Sequence, residues 1–158
     1  MLSRFAGTFI VATIALASTA HAVEVKRKIE IVGEAPKVWA QIGGWCAIAD
    51  WHPAIAKCEE SSANGKPVRT LTLKDGGVIK ETQLKTTATS YTYQIDESPL
   101  PVTNYTATFA IAPDDDESEV NVIWSAKFDP KGASEDEAEK VIAGIFKDGL
   151  DAIKKKHD

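Results

Sequence analysis

The segment 134-SEDEAEKVIAGIFKDGLDAIKKK-156 decides how the rest of the chain is read. Ser134 is an N-cap residue, and Glu137 three places on completes a capping box. Ala138, Val141, Ile142, Ile145, Phe146, Gly149, Leu150 and Ile153 then recur at helical spacing. Acids cluster at the start and Lys154–Lys156 at the end, the arrangement a helix dipole favours. The pattern predicts one long amphipathic helix, whose apolar stripe needs a partner of similar length.

That partner is written in the preceding residues as period-2 alternation. Glu119–Pro130 turns Val120, Val122, Trp124, Ala126 and Phe128 one way. Val102–Ala112 does the same with Tyr105, Ala107, Phe109 and Ile111, and Ser90–Glu97 with Tyr91, Tyr93 and Ile95. Asp75-Gly76-Gly77 is a hairpin signal. It separates Pro67–Lys74, with Arg69, Leu71 and Leu73 on one face, from Val78–Thr87, with Ile79, Glu81 and Gln83 together. Ala54–Ser61 and Val23–Val32 add a strand each, and Ala63–Lys66 reads as a turn. Threonines on the opposite faces suit the wet side of an antiparallel sheet. Seven strands with one apolar face each and one long helix predict an α+β fold, a curved antiparallel sheet wrapped around the C-terminal helix.

Between the first and second strands lies 38-VWAQIGGWCAIADWHP-53, which holds three of the four tryptophans and one of the two cysteines. Pro36 suits the first turn of a helix, Val38, Trp39 and Ile42 form its stripe, and Gly43–Gly44 ends it. Cys46–Asp50 predicts a further helical turn. Trp45, Trp51 and His52 are then placed to cover the end of a core or the mouth of a cavity.

Residues 1–22 have the pattern of a cleaved secretory signal: Arg4, an apolar run over Phe5–Ala17, and the small-x-small site Ala20-His21-Ala22. The run falls short of the roughly 20 apolar residues that span a bilayer, so the mature chain is expected to carry no transmembrane segment. Removing 22 residues of 158 leaves Val23–Asp158 as a single domain. The formal charge of −5 becomes more negative when Arg4 is lost, which disfavours nucleic acid and anionic membranes as partners. In an exported protein Cys46 and Cys58 read as a disulfide, with two buried free thiols as the rival reading. Cys46 and Cys58 with His52, the one histidine inside the domain rather than at its C-terminal tip, fall short of a zinc shell, and Asp114–Glu117 lacks the spacing of a calcium loop. No metal and no cofactor is expected; the acidic run reads as a solvated turn or a docking patch for a basic partner.

Val38-Trp39, Trp51-His52-Pro53, Val68-Arg69-Thr70-Leu71, Asp75-Gly76-Gly77 with Glu81, Asn104-Tyr105, Trp124-Ser125-Ala126 and Gly149-Leu150 resemble, in order, the helix-grip superfamily of START lipid-transfer domains and polyketide cyclase/dehydrase-like (SRPBCC) proteins. The chain is also similar to exported members of that superfamily, one group of which is associated with periplasmic methanol oxidation. The resemblance implies a helix-grip fold with an apolar ligand held between the concave sheet face and the long helix. Carried over residue by residue, it points to Arg69, Leu71, Glu81, Tyr93, Tyr105, Trp124, Ile145 and Gly149. With Trp51, His52 and Phe109 added from the residues themselves, the expected ligand site is Trp51, His52, Arg69, Leu71, Glu81, Tyr93, Tyr105, Phe109, Trp124 and Ile145.

Arg69 and Glu81 stand out as charges on otherwise apolar faces. An internal salt bridge explains them, as does a pair that orients a ligand's polar end; Glu81 as an acid/base for cyclisation or dehydration is a third reading. His52 reads as a structural ring bonded to backbone, as a rim contact, or as a catalytic base; no recognisable nucleophile pairs with it. The leading expectation is a periplasmic binding or carrier protein for a hydrophobic or amphipathic small molecule. The alternatives are an accessory protein for a periplasmic oxidoreductase and a cyclase- or dehydratase-like enzyme using Glu81.

Overall fold

A computed structural model describes residues 22–116 and 118–157. The expected leader lies outside these residues except for Ala22, as does Glu117 of the acidic turn. In chain order the elements are β1 (Val23–Val32), α1 (Ala35–Ile42), α2 (Ile48–Trp51), β2 (Ile55–Ala63), β3 (Lys66–Leu73), β4 (Val78–Thr86), β5 (Ser90–Glu97), β6 (Val102–Pro113), β7 (Glu119–Pro130) and α3 (Glu135–His157). The strands form one seven-stranded antiparallel sheet in the order β1-β7-β6-β5-β4-β3-β2. This is the helix-grip architecture that the alternation and the long C-terminal helix predict.

Local chemistry accounts for the element ends. Ser134 Oγ accepts from the Glu137 N–H at 3.2 Å while Glu137 Oε2 accepts from the Ser134 N–H at 3.0 Å, so the capping box closes in both directions. The second strand begins at Ile55 and continues to Ala63, beyond the expected Ser61. Its ladder with β3 runs on through Ser62↔Pro67 and Ala63↔Lys66 to a turn in which Asn64 and Gly65 both take positive φ.

Alternation sorts the sheet residues as expected. Tyr91, Tyr93, Tyr105, Phe109, Val122, Trp124 and Phe128 are all buried on the concave side with Ile142, Phe146, Leu150 and Ile153 of α3. Register shifts in β4, between Lys80 and Glu81 and between Gln83 and Lys85, and in β6 between Thr103 and Thr106 mark bulges. Bulges bend and twist a strand locally, which helps this sheet fold around α3. The helix packs against β1, β7 and α2, leaving the β3–β5 side of the concave face less completely filled. Among the described residues no helix is long and apolar enough to cross a membrane.

Candidate functional site

On that less filled side lies a cavity of about 90 Å³. Its wall is assembled from every layer of the fold: Ile48 from α2, His52 and Ala54 after it, Ile55 from β2, and Leu71 and Leu73 from β3. Ile79 and Glu81 come from β4, Tyr93 and Ile95 from β5, Tyr105 from β6, Trp124 from β7, and Ile142, Ile145 and Phe146 from α3. Leu100, from the turn between β5 and β6, completes it. The buried end is formed by Glu81, Tyr93, Tyr105, Trp124 and Phe146; Leu73, Ile95, Leu100 and Ile145 are only half-buried and form the mouth.

The two anomalous charges meet. Register pairs Arg69 with Glu81 across β3 and β4, and Arg69 Nε donates to Glu81 Oε2 at 2.5 Å with both side chains buried. Arg69 also donates through Nη1 to the Trp45 carbonyl at 2.6 Å, and its guanidinium lies 4.0 Å from the Trp45 ring centroid. Burial opposes the Arg69 charge most strongly, but Glu81 together with Tyr91 and Tyr93 outweighs it and raises the guanidinium further above its ordinary range. Burial likewise pushes the Glu81 carboxyl up, against the pull of Arg69. A guanidinium this firmly protonated keeps its partner ionised, so the two form a buried ion pair. Glu81 is part of the cavity wall, whereas Arg69 stands one layer behind it.

His52 is held at both nitrogens. Its Nδ1 accepts from the Ala54 N–H at 3.2 Å, so Nε2 carries the proton and donates to the Ile145 carbonyl at 3.0 Å. Burial lowers its pKa below the ordinary histidine value, consistent with a neutral ring. With no lone pair left over, it has none of the freedom a general base requires. Gly149 makes room for it: a Cβ there would come within 2.6 Å of His52 Cδ2 and 3.0 Å of the Trp51 and Trp124 rings.

The hydroxyls at the buried end are likewise organised. Trp124 Nε1 donates to Tyr93 Oη at 3.0 Å. Burial raises the Tyr93 phenol well above its usual range. It also raises that of Tyr105, against an opposing hydrogen bond with Tyr93. Both therefore stay protonated and can donate or accept.

Val38–Pro53 is cross-tied to the rest of the fold at several points. Cys46 and Cys58 form a disulfide that ties the α1–α2 connection to β2. Trp51 donates to the Ile42 carbonyl at 3.2 Å and stacks on Phe109 with centroids 5.3 Å apart. Trp39 also stacks on Phe109, with centroids 6.0 Å apart, and lies against Gly43, where a Cβ would fall 2.2 Å from its ring. Trp45 sits edge-on to Tyr91. Trp51, Phe109 and Arg69 thus support the wall from behind, while His52, Leu71, Glu81, Tyr93, Tyr105, Trp124 and Ile145 reach the cavity.

Several wall residues escaped sequence reasoning. Leu73, Ile79 and Ile95 lie on the faces already assigned to their strands, and Ile142 and Phe146 are the helical neighbours of Ile145, so periodicity carried a usable signal. Ile48, Ala54, Ile55 and Leu100 lie in or beside short connections where no periodicity exists.

Away from the cavity, carboxylates of Glu30, Asp114 and Glu119 approach within 4.8 Å of one another. Lys28 Nζ lies 2.8 Å from Glu30 and offsets part of that charge.

Comparison with known proteins places these observations in context. Residues 22–158 match the family model described as polyketide cyclase/dehydrase and lipid transport. The solved structure of the protein XoxI from Bacillus cereus is 33% identical, aligns over 85% of this chain and 94% of its own, and superposes with a TM-score of 0.80. The Zhui aromatase/cyclase from a Streptomyces species is 16% identical over 87% of this chain and 94% of its own, with a TM-score of 0.68. A START superfamily protein from Mycobacterium smegmatis is 15% identical over 85% and 96%, at 0.71. The latter two likenesses concern the fold. Among curated proteins none matches the chain.

Proposed function

Because the chain belongs to the polyketide cyclase/dehydrase and lipid transport family, we propose that it is a periplasmic binding or carrier protein that holds a small hydrophobic or amphipathic molecule in the cavity between sheet and helix. The observation that carries this reading is the wall itself: almost wholly apolar, closed at one end by Glu81, Tyr93 and Tyr105, and half-exposed at the other. Apolar concavities with a few convergent polar groups are the usual form of small-molecule sites.

The volume constrains the ligand. About 90 Å³ is below the roughly 300 Å³ typical of drug-sized pockets and below an engineered cavity of about 150 Å³ that admits benzene. The part of the ligand beyond the buried end must therefore be slender, or lie between the mouth side chains. Export to the periplasm is supported by the signal-like leader and is compatible with the Cys46–Cys58 disulfide.

A second reading draws on the same small volume. A largely filled interior suits an accessory protein that works through its surface, as a partner of a periplasmic oxidoreductase. Native mass spectrometry of mature protein released gently from the periplasm separates the two. The carrier reading predicts a reproducible small-molecule adduct that is lost on denaturation. Repeated preparations without an adduct, together with no binding from a panel of lipids and small alcohols, would overturn it in favour of the accessory role. The enzyme reading requires turnover on polyketide or ester substrates that Glu81→Gln abolishes without unfolding.

A further inference from the structure

Building on the reading of this cavity as a ligand site, we propose that it selects neutral hydroxyl-bearing molecules, alcohols or phenols, over carboxylates of similar shape, because the charged group that faces the ligand is Glu81 and not Arg69. Arg69 stands behind the wall, with its Nη2 the one nitrogen left without a hydrogen-bond partner among the described residues. Its Nε is bonded to Glu81 Oε2, its Nη1 to the Trp45 carbonyl, and its face is stacked on the Trp45 ring. Glu81 uses one oxygen for that pair; its Oε1 has no protein partner among the described residues, and the residue lines the cavity. A carboxylate oxygen only accepts hydrogen bonds.

The other polar groups of the wall leave this bias intact. His52 has both nitrogens occupied and is uncharged, and the Trp124 N–H is given to Tyr93. The Tyr93 and Tyr105 hydroxyls can turn to accept or donate. An alcohol donates to Glu81 Oε1 while its hydrocarbon lies along Leu71, Ile145 and Leu100. A carboxylate in the same place sets a second negative charge beside Glu81 in an apolar surround, where like charges repel strongly. An alkylammonium adds a second cation near Arg69, whose charge Glu81 already balances.

Three probes of nearly equal bulk test the selection: 1-pentanol, its isomer butyl methyl ether, which lacks the donor, and pentanoate. Each is titrated into isotope-labelled mature protein at neutral pH and followed by amide and indole chemical shifts. Pentanol is expected to bind about tenfold more tightly than the ether and about a hundredfold more tightly than pentanoate. Lowering the pH until the probe's own carboxyl is protonated makes it a donor, and its binding is expected to recover. Glu81→Gln, checked for folding by circular dichroism, is expected to bring pentanoate to within about tenfold of pentanol; the wild-type pH series carries the same test without that variant. Ether equal to pentanol, or pentanoate equal or tighter at neutral pH, overturns the selectivity. Binding of none of the three overturns instead the ligand-site reading on which it rests.

Discussion

The two sides of the cavity are built on opposite principles. On one side, Trp45–His52 is tied down by a disulfide, by hydrogen bonds from Arg69 and Trp51, by the His52 bond to α3, and by rings stacked on Phe109. On the other side, Leu73, Ile95 and Leu100 sit half-exposed at strand ends and in a turn, held mainly by backbone bonds such as Leu73 N–H to the Gly77 carbonyl and Val102 N–H to the Leu100 carbonyl. The tryptophan-rich segment is thus a cross-tied roof, and the turns opposite it form a half-exposed lip. Side chains that read as a cover over a cavity's mouth become a wall when each is fastened to a different element.

Perturbing the roof should therefore cost stability, and perturbing the lip should change binding. The largest effect is expected at the ion pair beneath the roof. Glu81→Ala strands a buried guanidinium and should destabilise by about 3–5 kcal/mol, whereas the double replacement Arg69→Met with Glu81→Leu should recover most of that loss. Urea denaturation of Glu81→Ala and of the double variant measures both. Next is the disulfide, with Cys46 and Cys58 separated by 12 positions. Replacing both by serine should cost about 3 kcal/mol in the chain-entropy model, read as a lower thermal midpoint at unchanged secondary structure.

Gly149→Ala sharpens the contrast further. Helix propensity alone would favour alanine by about 1 kcal/mol. Here the added methyl meets the Trp51, His52 and Trp124 rings at 2.6–3.0 Å, and these rings are themselves pinned. Overpacking is expected to prevail, with a net loss of about 1–2 kcal/mol in a denaturant melt.

A pH effect of similar or smaller size follows from His52. Its folded-state pKa is depressed by burial below the ordinary 6.5, so near that pH the unfolded chain binds more protons than the folded one. The stability it contributes is present above about 6.5 and is lost as pH falls below it towards the lower folded value. His52→Gln should flatten the stability curve over that interval. The smallest stability change is expected at the lip: Leu100→Trp, at a half-exposed position, should alter stability by no more than about 0.5 kcal/mol while blocking ligand uptake.

This division explains what could be read from the chain. The strands, their faces and the long helix were legible because alternation and helical spacing each repeat over many residues, as in Glu119–Pro130 and Ser134–Lys156. The pairing of Arg69 with Glu81 was one of three readings of two misplaced charges; their meeting depends on the β3–β4 register set by the Asp75–Gly77 turn. That Arg69 stands behind Glu81, and that Trp51 and Phe109 stack out of the cavity's reach, depends on depth within the core, which periodicity does not encode. Leu100 had no signal at all, since it enters the wall from the Ser98–Pro101 turn.

The account is tested most directly by mapping where the protein responds when 1-pentanol binds. Chemical-shift changes are predicted at Leu73, Ile95, Ser98–Leu100, Tyr105 and Ile145, with the Trp45 and Trp51 indole N–H signals nearly still and the response abolished in Leu100→Trp. Large shifts of the Trp45 and Trp51 indoles with a silent Ser98–Leu100 turn would contradict it, because the roof would then be the moving part.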